Sequence, residues 1–120
     1  MLPLRFMFTK LLGLLPPQIL RAIAVRMHAF PIFRPMLEFG KKMITSRVAT
    51  IQGGAGKGLC FDPGEGGYPG QVLGSTDLEE QQALVKHLRS GSVFYDVGAN
   101  VGFYVIIGAR TVGPDGHVYA

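Results

Sequence analysis

The chain has 120 residues, of which 48% are hydrophobic and 17% are charged, and this composition excludes an intrinsically disordered protein. Its single cysteine excludes an intramolecular disulfide framework. The net charge of +4 is uneven: residues 1–47 carry eight basic side chains against one acidic side chain, which gives +7, and residues 48–120 carry four against seven, which gives −3.

The basic leader, residues 1–47, is predicted to be helical. Pro17 suits the first position of a helix over residues 18–30, in which apolar side chains recur at helical spacing. A second, shorter helix is predicted from Pro35 to Met43, ending near Gly40 or just after it. A basic amphipathic helix either covers a face of the following domain or lies on an anionic membrane surface, and the sequence leaves both options open.

Charged residues divide the apolar part of the leader. Because Arg5, Lys10 and Arg21 interrupt it, no window of about 18 uncharged apolar residues exists, and no transmembrane helix is expected. The apolar run from Leu11 to Leu15 is short and meets two prolines, which argues against a secretory signal. We therefore expect a cytoplasmic protein, with peripheral membrane contact through the leader as an open option. Nothing in the sequence indicates nucleic-acid binding.

A β-hairpin is predicted for residues 48–61, because two β-prone runs flank a glycine-rich turn. The turn does not match a phosphate-binding loop, because its glycines have the wrong spacing and no serine or threonine follows its lysine. We expect the hairpin to cover the entrance of a binding site, with Lys57 near an anionic group. Cys60 is expected to be a buried structural thiol. Residues 62–70, rich in glycine and proline, are predicted to form a loop that meets substrate.

A capped helix is predicted next, from Asp77 to Arg89. Thr76 and Glu79 have the spacing of a capping box, in which the threonine hydroxyl accepts the amide N–H of Glu79 and the glutamate accepts that of Thr76. The helix is expected to pack through its apolar side chains, which are Leu78, Leu84, Val85 and Leu88.

The rest of the chain is predicted to form a strand, a glycine loop, a helix and a second strand. Residues 93–97 have strand character, and Gly98 permits a sharp turn before an apolar helix over residues 103–112. A proline and glycine turn at residues 113–116 reverses the chain, so that residues 117–120 lie parallel to the first strand. The loop then lies at the carboxyl end of a buried strand, where open α/β sheets bind ligands.

Asp96 and the glycine spacing restrict the kind of ligand that this loop is expected to bind. A carboxylate at the end of a strand needs hydrogen-bond donors, which loop amides, Asn100, water or a bound ligand would supply. Alternatively, Asp96 and Asn100 only brace the turn. The loop reads Gly-x-x-x-Gly, whereas the dinucleotide fingerprint requires Gly-x-Gly-x-x-Gly. Asn100 stands where the second glycine would let a pyrophosphate approach, so a cofactor without a pyrophosphate is expected.

The stretch Phe-Tyr-Asp-Val-Gly-Ala-Asn-Val-Gly-Phe-Tyr, residues 94–104, resembles the signature Asp-(Val/Ile)-Gly-Ala-Asn-(Val/Ile)-Gly of the FkbM-type methyltransferases. The resemblance covers roughly residues 53–120. It implies an α/β fold, the Rossmann-like class I methyltransferase sheet, with only its first strands in residues 48–120 after the helical leader and the hairpin. It implies S-adenosylmethionine as cofactor, held by Asp96, Gly98, Ala99, Asn100, Gly102 and Glu79.

The resemblance also implies methyl transfer to a hydroxyl of a sugar or of another small-molecule acceptor. Members of the family continue after the position of Ala120 into an acidic ribose-binding residue and the rest of the sheet, so we expect residues 1–120 to be part of a longer enzyme and inactive alone. The residues identify no catalytic base and no metal site. Two alternatives remain open, an oxidoreductase that binds NAD or FAD, and a non-enzymatic module that associates with membranes.

Overall fold

The computed structural model describes residues 4–45 and 48–120, except for the side chain of Arg5. Three helices come first, followed by a hairpin, two further helices and a strand–helix–strand unit. The helices are α1 (Leu4–Gly13), α2 (Pro17–His28), α3 (Arg34–Thr45), α4 (Pro69–Leu73), α5 (Leu78–His87) and α6 (Phe103–Val112). The strands are β1 (Ala49–Thr50), β2 (Cys60–Phe61), β3 (Val93–Tyr95) and β4 (His117–Tyr119).

The leader is helical, as predicted, and more so than the sequence pattern indicates. Helix α2 begins at Pro17, because the extended backbone of Pro16 ends the preceding turn and a proline needs no amide partner at a helix start. Helix α3 runs through Gly40 to Thr45, so the predicted end near Gly40 is wrong. Helix α1 was not predicted. The boundary predicted between residues 47 and 48 adjoins Ser46 and Arg47, which lie outside the described residues.

No single helix of the described part is long and apolar enough to cross a membrane. Residues Phe6–Gly13 and α2 are long and apolar enough only when they are taken together, and a bend of 110° separates the two.

The predicted hairpin is confirmed. Strand β1 pairs with β2 in antiparallel register, with Ala49 opposite Phe61 and Thr50 opposite Cys60. Phe61 is buried in the core, and because successive side chains of a strand point to opposite faces, Cys60 points outward. The prediction of a buried Cys60 is therefore wrong, since the thiol is exposed.

Helix α5 starts and packs differently from the prediction. Its first turn follows Asp77, which has a left-handed backbone with φ of 41° and makes no side-chain cap. The capping box is therefore wrong: the hydroxyl of Thr76 instead donates a 3.2 Å hydrogen bond to the hydroxyl of Tyr68. The helix ends at His87, and its buried residue is Gln81, whereas Val85 is 42% exposed.

Gln81 on α5 joins two backbone segments, the hairpin turn and residues 74–76. Its Oε1 accepts a 2.8 Å hydrogen bond from the amide of Ala55 in the hairpin turn. Its Nε2 donates to the carbonyl oxygens of Thr76, at 2.5 Å, and Gly74, at 3.5 Å. The same region holds the main apolar core, whose buried members are Leu20, Ile44, Ile51, Phe61, Val72, Leu73, Phe103 and Ile107.

The strand–helix–strand unit is confirmed. Strands β3 and β4 are parallel, with Val93, Phe94 and Tyr95 opposite His117, Val118 and Tyr119. Helix α6 covers one face so closely that a Cβ added to Gly108 would lie 2.5 Å from Cδ1 of Phe94.

The opposite face of this sheet is open. Tyr95 and Tyr119 stack there with ring centroids 4.9 Å apart, and both rings are exposed. The expectation of a buried first strand is therefore wrong for this face, and the strand ends at Tyr95, two residues earlier than predicted. Within the described residues the protein has two separate two-stranded sheets, so the Rossmann-like sheet stays a prediction.

Candidate functional site

The glycine loop, residues 96–102, links β3 to α6 through three left-handed residues. The φ angles are 80° at Gly98, 51° at Asn100 and 79° at Gly102. Glycine adopts this conformation without a steric penalty, and asparagine is among the few other residues that tolerate it. The amide of Gly102 donates a 2.8 Å hydrogen bond to the carbonyl oxygen of Ala99, which closes the turn before the helix.

Asp96 opens this loop with a carboxylate oxygen that has no partner. Its backbone amide donates a 2.7 Å hydrogen bond to the carbonyl oxygen of Tyr119, so its position is fixed by the parallel sheet. Its Oδ2 is buried and accepts no hydrogen bond from any described residue. A buried, unsatisfied carboxylate oxygen is costly, and such atoms usually have a ligand, an ion or water as partner. Asn100, one of the donors considered for this carboxylate, makes no hydrogen bond to its Oδ2.

The backbone of the loop is accessible. A Cβ built on Gly98 would meet no other atom within 4 Å. Helix α6 has no side-chain cap at Gly102, so the amides of its first turn have no side-chain acceptor. Free amides and the helix dipole make a helix start electropositive. Asp96 and this helix start therefore offer a hydrogen-bond acceptor and several donors within one short segment.

The predicted substrate loop lies against the glycine loop. A Cβ added to Gly66 would be 3.2 Å from Cγ1 of Val101 and 3.4 Å from Oδ1 of Asn100. The aromatic ring of Phe61, just before this loop, packs edge-on against Phe103 with centroids 5.7 Å apart. This loop is thus held beside the start of α6 by the apolar core, and it ends at Tyr68, because the last two residues of the predicted loop, 69 and 70, belong to α4.

Tyr104 and Asp77 form a polar contact that the sequence pattern did not predict. The hydroxyl of Tyr104 donates a 3.0 Å hydrogen bond to Oδ2 of Asp77, which connects the first turn of α6 with the start of α5. Burial raises the pKa of the Tyr104 hydroxyl above its ordinary value, and the hydrogen bond and negative charge of Asp77 raise it further. The one feature of the sequence that could have pointed to Tyr104 is its position in the stretch that resembles the methyltransferase signature, residues 94–104.

A cavity of about 400 Å³ adjoins this contact. Its polar lining includes Tyr68, Thr76 and Asp77 near the start of α5, and Arg21, Glu38 and Lys41 from the leader. Neither cation makes an ion pair with a described residue. The cavity therefore joins hydroxyl and carboxylate groups near the start of α6 to two positively charged side chains of the leader.

Glu79 faces elsewhere. It is exposed on α5 and lines an open groove together with Gln18 and Arg26 of α2. No contact joins it to the glycine loop in the described part of the chain. The first acidic residue of this region that contacts α6 is Asp77, two positions earlier.

The hairpin turn does not cover the glycine loop, contrary to the prediction. The guanidinium of Arg110, near the end of α6, donates hydrogen bonds to the carbonyl oxygens of Lys57, at 2.8 Å, and Ala55. Arg110 lies eight residues after Gly102, or about 12 Å along the helix axis. Lys57 itself lines a groove beside α1, so it is placed away from the candidate site.

Comparisons with protein-family models, with curated proteins and with solved structures found no match for this chain. Among the described residues there is also no group of histidine, cysteine, aspartate and glutamate side chains that could hold a metal ion.

Proposed function

We propose that the glycine loop binds S-adenosylmethionine and that the protein is a methyltransferase acting on a hydroxyl oxygen of a sugar or of another small molecule. The observation that carries the proposal is the buried Oδ2 of Asp96, which lacks a donor beside an accessible glycine backbone. A cofactor hydroxyl or ammonium group would supply that donor. The resemblance of residues 94–104 to the methyltransferase signature supports the same assignment.

Each residue of the loop has a distinct part in this proposal. Asp96 accepts a hydrogen bond from the cofactor, and Gly98 leaves its backbone open to the methionine portion. Asn100 offers a polar side chain at the exposed tip of the loop. Ala99 and Gly102 keep the turn compact through their 2.8 Å hydrogen bond. Glu79 has no part, because it lines the groove beside α2.

The same geometry disfavours a dinucleotide. A pyrophosphate approaches the backbone closely at the second glycine of its fingerprint, and here that position is Asn100. Its side chain projects from a left-handed backbone with φ of 51° and lies near Gly66. A bulky group at this point obstructs a pyrophosphate but leaves room for a smaller cofactor beside Gly98.

S-adenosylmethionine supplies an electrophilic methyl group on its sulfonium sulfur when bound. The chain would contribute by positioning the acceptor oxygen and excluding water. We assign the acceptor to the cavity beside Tyr68 and Asp77, because Asp77 in its lining accepts the hydrogen bond of Tyr104 from the first turn of α6 and because it offers polar groups to a hydroxylated molecule. The raised pKa of Tyr104 keeps its hydroxyl protonated at neutral pH, so Tyr104 acts as a donor and not as a base.

Amide NMR spectra of the 120-residue chain test the assignment, because they detect weak as well as tight binding. We expect S-adenosylmethionine and S-adenosylhomocysteine to shift the amides of residues 96–104. NAD and FAD at the same concentration should leave them unchanged. Shifts of these amides by NAD that the adenosyl sulfur compounds cannot reverse would favour the oxidoreductase alternative. Absence of shifts with all four compounds would overturn the cofactor site.

A further inference from the structure

Helix α1 carries apolar side chains on its outward face as well as toward the protein. The face turned toward the protein carries Thr9, which is buried and donates a 3.2 Å hydrogen bond to the carbonyl oxygen of Phe6, and Leu12, which packs on the core. The outward stripe, at spacings of three and four residues, consists of Leu4, Met7 and Leu11 of α1 and of Leu14 in the turn that follows it, and these side chains are 59–80% exposed. A helix that serves only to cover a domain turns its apolar side inward.

Exposed apolar side chains are concentrated in the leader. Of the described residues, 15 large apolar side chains are exposed between Leu4 and Phe39, against 7 between Val48 and Tyr119. A contiguous apolar patch usually marks a contact surface, whereas isolated exposed apolar residues need no explanation. The leader therefore has a surface that requires a partner.

Cations border this surface. The ammonium group of Lys10 lies 4.6 Å from the ring centroid of Phe6. An open groove of about 570 Å³ runs along α1, lined by apolar side chains that include Met7, Leu11 and Leu14, with Lys10 and Lys57 also in its wall. Lysine beside exposed apolar groups is typical of helices that lie at the boundary between acyl chains and headgroups.

We infer that the outward face of α1, residues 4–14, docks onto an anionic membrane surface. The apolar stripe would enter the acyl boundary, and Lys10 and Lys57 would contact the acidic headgroups. A second copy of the chain fits less well, because two leaders of net charge +7 repel each other. The stripe also spans only about three turns, or roughly one and a half heptads, which is less than the three or four heptads of a stable coiled coil.

Vesicle co-sedimentation tests this inference. We expect the chain to pellet with vesicles of phosphatidylcholine and phosphatidylserine, but weakly with phosphatidylcholine alone. Binding should fall at about 1 M salt, where the Debye length shrinks to about 3 Å. Absence of binding to the anionic vesicles at low salt would overturn the inference.

Paired variants locate the contact on α1. Met7→Gln combined with Leu11→Gln should weaken vesicle binding about tenfold or more, since each removes an apolar side chain from the acyl boundary. The matched control, Val85→Gln with Val93→Gln, removes two exposed apolar side chains outside the leader and should leave binding unchanged. Lys10→Gln should weaken vesicle binding about fivefold, and Lys86→Gln should leave it unchanged. Equal effects of the two apolar pairs would contradict a contact through α1.

Tryptophan fluorescence separates the membrane from a second copy, because the chain has no native tryptophan. Leu11→Trp should show a blue shift and quenching by brominated lipid only when anionic vesicles are present, whereas Val85→Trp should show neither. A blue shift of Leu11→Trp without lipid, together with a dimeric mass by light scattering, would identify self-association and overturn the membrane assignment.

Discussion

The hydroxyl of Tyr104 donates a 3.0 Å hydrogen bond to Oδ2 of Asp77, and this contact joins the beginnings of α6 and α5. Both helices meet the candidate site at this point, α6 through the glycine loop and α5 through the cavity beside Asp77. The contact also connects residues 27 positions apart. The ionisation of the Tyr104 phenol, followed by ultraviolet absorbance, can therefore report whether this arrangement forms.

Tyr104 should ionise at higher pH than an ordinary tyrosine, because burial and Asp77 raise its pKa. A raised pKa in the folded protein means that stabilisation is complete below the unfolded pKa of about 10 and declines as the pH rises above it. Ultraviolet titration should therefore show one late phenol, which Tyr104→Phe removes. Retention of the late phenol in Tyr104→Phe, with an earlier ionisation lost instead, would contradict this contact.

Gln81→Leu should lower the free energy of unfolding by about 3 kcal/mol, because it leaves two part-buried backbone groups, at Ala55 and Thr76, without this partner. Gln81 is 1% exposed, whereas Gln82 beside it is exposed. Gln82→Leu is therefore the matched control and should change stability by less than about 0.5 kcal/mol. Chemical denaturation measures both. Equal losses would show that Gln81 does not join the hairpin turn to α5.

Gly108→Ala and Gly40→Ala should have opposite effects on stability. Alanine in a helix gains about 1 kcal/mol over glycine, and at Gly40 a Cβ meets no atom within 4 Å, so that substitution should stabilise. At Gly108 the added Cβ would lie 2.5 Å from Phe94, and overpacking of about 1–3 kcal/mol should outweigh the gain. Thermal unfolding distinguishes the two. Stabilisation by Gly108→Ala would show that α6 is not held against β3 as described.

Several of these features follow from sequence pattern and others do not. The bounds of α6 and the hairpin were predicted, because apolar periodicity and glycine turns act locally. The capping box at Thr76 and Glu79 failed because the Thr76 hydroxyl bonds to Tyr68, eight residues away. The position of the hairpin turn depends on Arg110, which contacts Lys57 across 53 residues and has no local signal. In the site, the glycine loop was predicted, and the contact between Tyr104 and Asp77 was not.

Gly98→Val should abolish binding of S-adenosylhomocysteine, because a branched side chain is strained at φ of 80° and occupies the space left for the cofactor. Gly91→Val is a matched control, since Gly91 has φ of 82° and equally open surroundings but lies outside the loop. Both variants should lose similar stability, and only the first should lose binding in calorimetry. Loss of binding in both would assign the effect to folding and not to the site.

Calorimetry with Asp96→Asn tests whether the glycine loop binds the cofactor, because the buried Oδ2 is the atom to which the cofactor's donor is assigned. A hydrogen bond to a charged group contributes about 1.5–3 kcal/mol, so the variant should bind S-adenosylhomocysteine about tenfold or more weakly. Its free energy of unfolding should not decrease, since no described donor loses a partner, and Asp115→Asn on the exposed turn should leave binding unchanged. Equal affinity in the Asp96→Asn variant and the unaltered chain would contradict the account.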